Sequence, residues 1–432
     1  MNPRLVLAGS VTGAVIVALD GTVLTIAQPT LQRDLGASYA QVQWTSTGYL
    51  IAVASLLVFA GRLGDRYGHR RLFGIGMLGF GVASAGIGLA PGVGWVIGLR
   101  VVQGVFGALL QPATLGMLRV AYPPDRLRGP IAVRTAAIGV AAAVGPLVGG
   151  VLVAGSGWRA AFFVNVVPAL VFGVLALAVR EPEPERATGV RLDLPGAALL
   201  AAGLGFLVHT LVSPHWLGLA VTAVTGVAFV RHERRTASPL IPRTVPAAPL
   251  GVLVAASAAL SGTLFVSTYT LQYTLGLDPF RSALRCLPLA VLMVAAAAVC
   301  PVLLRRAGAR RTTATATAVL AAGILVLSHA SGAFALGAGF ALLGAGFGTV
   351  MVAATHVVVR ESPLGSAGVA GGLQQTAMNV GPTLGVALAA TEVSLVTFAA
   401  VALAGVVPAA GFRATITDRG RPGNRSEIPA RR

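Results

Sequence analysis

In the stretch "ALDGTVLTIAQP", residues 18 to 29, Asp20 is the single carboxylate of an apolar run with no basic residue between Arg4 and Arg33. A carboxylate can take up a proton, pair with a guanidinium or hold a cation. An ionised one in hydrocarbon costs on the order of several kcal/mol, so an acid at that depth usually has a function. A second charged residue lies in a similar setting. Arg100 heads "RVVQGVFGALLQPA" (100 to 113), with Gln103 one turn on and Gly104 beside it. At 1.5 Å per residue, Asp20 is about 14 Å and Arg100 about 9 Å from the same face of the membrane. A pair is therefore expected, direct or bridged by Gln103. The arginine would favour the charged carboxylate and burial the neutral acid. The pair is either a proton-exchanging site or a static link between helices.

The elements that must position these residues follow from composition. The chain has 432 residues, 55% hydrophobic and 11% charged, with mean hydropathy +0.81, against about 25% charged in an average soluble domain. Apolar runs of about 17 to 25 residues recur along it, each able to cross a bilayer as a helix. Runs such as "VLMVAAAAVC" (291 to 300) do not alternate as barrel strands would. Fourteen spans are predicted between about residues 5 and 412, the tenth and eleventh at 283 to 304 and 312 to 329. The first, running on to about Leu31, is longer than a secretory leader core and reads as a retained helix.

The net charge of +18 is spread through short loops, which argues against a nucleic-acid partner. All the basic residues are arginine, so a Walker loop, which needs lysine, is impossible. About 26 of them fall in alternate loops and the tail, and by the positive-inside rule both termini are cytoplasmic. Cys286 and Cys300 share one predicted helix about 21 Å apart, too far for a disulfide. Neither a metal nor a cofactor is implied, and no nucleophile, acid and base cluster suggests an enzyme.

The division expected is a six-helix bundle over 1–179, a linker with a two-helix insert over 180–248, a second six-helix bundle over 249–412 and a basic cytoplasmic tail over 413–432. The weak repeat "DRYGHRR" (65 to 71) and "RRAGARR" (305 to 311) supports it, with its glycine and closing arginine pair at the same spacing. Paired bundles place substrate between them, near mid-membrane.

"GRLGDRYGHRR" (61 to 71) combines Gly61 and Gly68, which permit a tight turn, with Asp65, Arg66 and Arg70. It resembles the loop motif of the major facilitator superfamily, G-x-L-x-D-R-x-G-R-R. "LDGTVLTIAQP" (19 to 29) is similar to the first-helix motif of the fourteen-helix drug:proton antiporters, and "RVVQGVFGALLQPA" to the fourth-helix motif. "GVAAAVGPLVGG" (139 to 150), with Gly145, Pro146, Gly149 and Gly150, resembles the fifth-helix antiporter motif, and "GWRAAFFVNVVP" (157 to 168) the entry to helix six. Thr25, Gln28, His69 and Arg134 depart from the usual residues, and "RRAGARR" lacks the acid of its counterpart.

The resemblance implies an all-α integral membrane protein of the major-facilitator fold. It implies export of small amphipathic organic compounds, drugs or antibiotics, across the cell membrane, driven by the proton gradient without a cofactor, by a monomer in the lipid bilayer. Asp20 and Arg100 would couple protons, and the glycine motifs would gate. A proton symporter importing a metabolite and a non-transporting receptor are the competing readings. Gln28 and Arg134 are candidate cavity residues, although Arg134 could equally snorkel to the surface. Tyr269 and Tyr273 share a face and line a cavity or form an interfacial belt. Gln375 and Asn379 share a face of the thirteenth span, lining the cavity or bonding between helices.

Overall fold

The computed structural model describes residues 2–123, 126, 128–178, 193–212, 216–236, 239, 247–361, 367–391 and 394–406. The acidic segment 180–189, nearly all of the proline-rich 238–246 and the tail 413–432 lie outside them.

Every regular element among the described residues is helical, as a chain in lipid requires when it must satisfy its own backbone donors and acceptors. In order they are α1 (Pro3–Leu35), α2 (Tyr39–Tyr67), α3 (His69–Gly88), α4 (Val93–Ala121), α5 (Arg128–Ser156), α6 (Ala160–Ala178), α7 (Leu194–Val212), α8 (Trp216–Arg235), α9 (Ala247–Tyr269), α10 (Pro279–Ser328), α11 (Ala333–Glu361), α12 (Ala367–Ala389) and α13 (Leu395–Ala404). A π-helical turn, Thr270–Thr274, prolongs α9. Nine helices among the described residues are long and apolar enough to cross a membrane. The expected count of fourteen spans is not reached on that criterion.

The expected tenth and eleventh spans are two helices that meet at a kink, labelled together as α10. Its 50 residues would reach about 75 Å if straight, more than twice a hydrocarbon core. Gly308, at φ 76° and ψ 163°, bends it into two arms. Gly68, at φ 92°, makes the corresponding corner between α2 and α3. Both conformations lie where a side chain is strained, so the glycine shared by "DRYGHRR" and "RRAGARR" has the same geometric task in both places.

Small residues set the packing, since lipid offers no hydrophobic drive for helices to associate. A Cβ on Gly104 would lie 2.6 Å from the Tyr49 carbonyl oxygen, so α4 meets α2 backbone to backbone. α11 lies between the arms of α10, with Gly344 and Gly348 against Leu289 and Met293, and Gly346 against Leu320. Gly381 and Gly385 of α12 press on Ser257 and Ala258 of α9. α7 packs on α8 and, through Leu204 and Val208, into a cluster with Ile51 and Ala54 of α2 and Ala387 of α12.

Candidate functional site: a buried carboxylate cluster

Three helices, α3, α4 and α6, place polar side chains around Asp20 of α1. Asp20 and Arg100 meet directly, with Arg100 Nη1 donating to Asp20 Oδ2 at 2.5 Å and both side chains 1% exposed. Gln103, one turn on from Arg100 on the same face of α4, accepts from Arg100 Nη1 through Oε1 at 2.6 Å. Its Nε2 donates to Asp20 Oδ1 at 3.2 Å and to Ser84 Oγ of α3 at 2.8 Å. Pairing and bridging, the two alternatives open in the sequence, occur together.

The structure adds partners that the motifs did not single out. Asn165 Nδ2 of α6 donates to Asp20 Oδ1 at 3.2 Å. Arg100 Nε donates to the Thr45 carbonyl oxygen at 2.9 Å, and the guanidinium lies 4.2 Å from the centre of the Tyr49 ring. A guanidinium over a desolvated aromatic face gains about 2 kcal/mol. Asn165 was detectable, because it is the sole polar side chain of the nineteen residues of α6. Thr45 and Tyr49 belong to a helix rich in polar residues, where nothing in the sequence marks them out.

In sum, Asp20 accepts three N–H donors, one of them cationic, and Arg100 is met by a carboxylate, an amide oxygen, a backbone carbonyl and a ring face. A buried ion pair offsets its desolvation only with such additional bonds. The cluster meets both partners of a buried ion pair with further hydrogen bonds.

The expected gating residues line helix contacts. On α5, a Cβ on Gly145 would strike Thr22 of α1, and one on Gly149 would lie 3.0 Å from Val23 Cα. Gly150 faces the other way, its Cβ position 2.9 Å from Phe280 Cα and 3.0 Å from Ala283 Cβ of α10. α5 is thus held between α1 and α10, and Pro146 lies inside it. Gly61 meets only Pro112, at an ordinary 3.8 Å.

Asp65 accepts a bond from His69 Nε2 at 3.1 Å. The imidazole occupies a slot between Gly64 and Gly116, whose Cβ positions would fall 2.4 and 2.2 Å from its atoms. His69, a departure from the usual basic residue, is therefore Asp65's own partner. Arg66 stacks on Tyr67 at 5.3 Å, and Arg70 donates to the Ala176 carbonyl oxygen at the end of α6.

The candidate cavity residues are dispersed. Gln28 is buried and donates to Ser46 Oγ of α2 at 2.8 Å. Arg134 donates from Nε and Nη2 to Thr114 Oγ1 of α4, at 3.1 and 2.8 Å. Asn379 donates to the Gln375 carbonyl oxygen of its own helix, α12, while Gln375 is exposed.

Tyr269 and Tyr273 stack at 5.6 Å and 6° at the end of the bundle where α1 finishes. Tyr39 of α2 meets Tyr269 edge-on at 4.7 Å, and Arg33 lies over Tyr273. Tyr273 Oη donates to the Pro29 carbonyl oxygen at 3.1 Å, and Gln272 Nε2 to that of Ile26 at 3.0 Å. The π-turn at the end of α9 is thereby bonded to α1. At the same end, Trp158 Nε1 and Arg159 bind Asp34.

Comparison with known proteins agrees with this architecture. Solved structures of similar fold include the POT family transporter PepTSo, with a TM-score of 0.70 at 15% identity over 94% of this chain and 97% of that one. A D-xylose-proton symporter gives 0.66 at 14% identity over 95% and 97%. Among curated relatives, a tetracenomycin C resistance and export protein of Streptomyces glaucescens is 41% identical, covering 87% of this chain and 73% of its own. A probable actinorhodin transporter of Streptomyces coelicolor is 34% identical over 89% and 71%. The multidrug efflux pump LfrA of Mycolicibacterium smegmatis is 32% identical over 87% and 78%. A family model described as the Major Facilitator Superfamily matches residues 11–386, and with the helical fold and these relatives it shows that the chain is a multi-pass membrane transporter that belongs to the Major Facilitator Superfamily.

Proposed function

We propose that this transporter exports small amphipathic organic compounds, drugs or antibiotics of the kind its relatives are named for, in exchange for protons. The observation that carries the reading is the buried cluster of Asp20, Arg100, Gln103 and Asn165. A carboxyl group met by three donors in hydrocarbon is costly to build. It is useful where its charge is to be cancelled and restored in each cycle.

In this reading α1–α6 and α9–α13 are the two moving bundles, and α7 and α8 are the insert. Rocking of one bundle against the other exposes the site to each side of the cell membrane in turn. The bonds from the π-turn to α1 close the end away from the amino terminus. With both termini cytoplasmic, as the arginine distribution implies, that is the outer end. Substrate leaves outward and a proton enters through Asp20. The monomer is sufficient, since both bundles lie in one chain. The gating contact between the bundles is that of Gly150 with α10, where rocking must slide one backbone past another, while Gly145 and Gly149 hold α5 to α1 inside the first bundle.

The test is expression in an efflux-deficient host, scored for survival against a broad panel of antibiotics and dyes. Raised tolerance with lower accumulation, lost on collapse of the proton gradient, supports export. Uptake that rises on energisation would instead mean import.

A further inference from the structure

The proton-exchange reading leaves open what happens at Asp20 when the proton arrives. In the geometry observed, Oδ2 faces the Arg100 guanidinium at 2.5 Å and Oδ1 faces two amides, Gln103 Nε2 and Asn165 Nδ2, each at 3.2 Å. All three neighbours present N–H groups. A carboxyl O–H placed among them would meet donors and find no acceptor, and a buried donor left unmade is penalised. The proton belongs on Oδ1, since a guanidinium has no acceptor to offer at Oδ2. One amide must then turn over and present its oxygen.

Gln103 is prevented from doing so. Its Oε1 is held by Arg100 Nη1 at 2.6 Å and its Nε2 by Ser84 Oγ at 2.8 Å. A flip would set its NH2 against the guanidinium, donor against donor. Among the described residues Asn165 shows no such second tether, its hydrogen bond there being the one from Nδ2 to Asp20 Oδ1. An amide turned by 180° about its last torsion keeps its shape and exchanges a donor for an acceptor.

We infer that Asn165 is a positioning residue that reads the charge of Asp20, donating through Nδ2 to the carboxylate and, after an amide flip, accepting through Oδ1 from the protonated acid. The balance is simple. One proton is added at Asp20 Oδ1, the pair changes from neutral to singly positive, and the N–H···O bond from α6 is replaced by an O–H···O bond to α6. The other titratable groups packed round Asp20 among the described residues are Arg100 of α4 and Tyr49 of α2. α3 contributes Ser84, and α6 contributes Phe162, whose ring lies 6.0 Å from the guanidinium. The signal therefore passes to α6, which packs on α3 and α1, without breaking the link to α4.

This inference rests on the reading of Asp20 as the proton carrier, and infrared difference spectroscopy of the purified protein in liposomes, acid minus neutral, separates the two without a transported substrate. The wild type is expected to show a carboxyl C=O band that Asp20→Asn abolishes, together with a side-chain amide band that Asn165→Leu abolishes, both growing over the same pH range. In Asn165→Leu, and in the smaller Asn165→Ala should the leucine variant fail to fold, the carboxyl band is expected to move to higher frequency, because the O–H has lost its acceptor. An Asp20-dependent band that stays at its wild-type frequency in the Asn165 variants would overturn the role of Asn165 and leave the proton carrier standing. The absence of any Asp20-dependent carboxyl band in the wild type would overturn both.

Discussion

A guanidinium with three differently directed partners cannot be replaced by a point charge. Arg100 donates from Nε to the Thr45 carbonyl oxygen and from Nη1 to both Asp20 and Gln103, with its plane on Tyr49. Lysine keeps the charge and loses the fork. Arg100→Lys is expected to insert and fold but to lose at least one charge-assisted bond, about 1.5–3 kcal/mol, seen as a lower thermal unfolding midpoint of the purified protein. An unchanged midpoint would mean that the fork contributes nothing to stability. The corner between α2 and α3 depends on a fit of another kind. The His69 ring fills the slot between Gly64 and Gly116 while bonding Asp65. Gly116→Ala is expected to expel the ring and cost about 1–3 kcal/mol through overpacking. A denaturation series together with the His69 imidazole resonances would show it, and resonances identical to wild type would refute it.

Helices meet through glycines whose loss can be graded along a single element. On α5, Gly149 abuts Val23 Cα at 3.0 Å, whereas a Cβ at Gly155 on the same helix meets nothing within 4 Å. Gly149→Leu is expected to cost about 1–3 kcal/mol and reduce drug tolerance of expressing cells to the level of empty vector, while Gly155→Leu leaves it intact. Equal tolerance in both would make the α5 motif mere packing. The same scale shows what could be read beforehand. Asp20 and Arg100 were legible because charge in hydrocarbon is rare and helical rise converts sequence position to depth. Asn165 was in view but unassigned, since depth along one helix says nothing of which neighbour it faces. The corner at Gly308 was legible in the glycine and flanking arginines of "RRAGARR", whereas the dispersal of Gln28, Arg134 and Asn379 into bonds with neighbouring helices or their own depends on rotamers that periodicity does not encode.

Across the whole molecule, the bonds from the π-turn to α1 tie α9 to α1 at one end. Each is worth roughly 1 kcal/mol, enough to shift a two-state population several-fold. Tyr273→Phe combined with Gln272→Leu is expected to raise the fraction of molecules with a wider separation between α1 and α9 at that end, measured by spin-label distance distributions. Distributions superimposable on wild type would remove these bonds from the gate.

The central claim is that Asp20 exchanges protons against substrate, and Asp20→Asn tests it most directly, because the amide retains the size and much of the hydrogen bonding of the carboxylate but cannot cycle its charge. The measurement is accumulation, in proteoliposomes with an acid lumen, of a compound selected by the resistance panel. Wild type is expected to accumulate it against its gradient, Asp20→Glu to keep part of that activity, and Asp20→Asn to retain downhill exchange but accumulate nothing uphill. Accumulation by Asp20→Asn at the wild-type rate would contradict the account and leave the Asp20–Arg100 pair a structural link between α1 and α4.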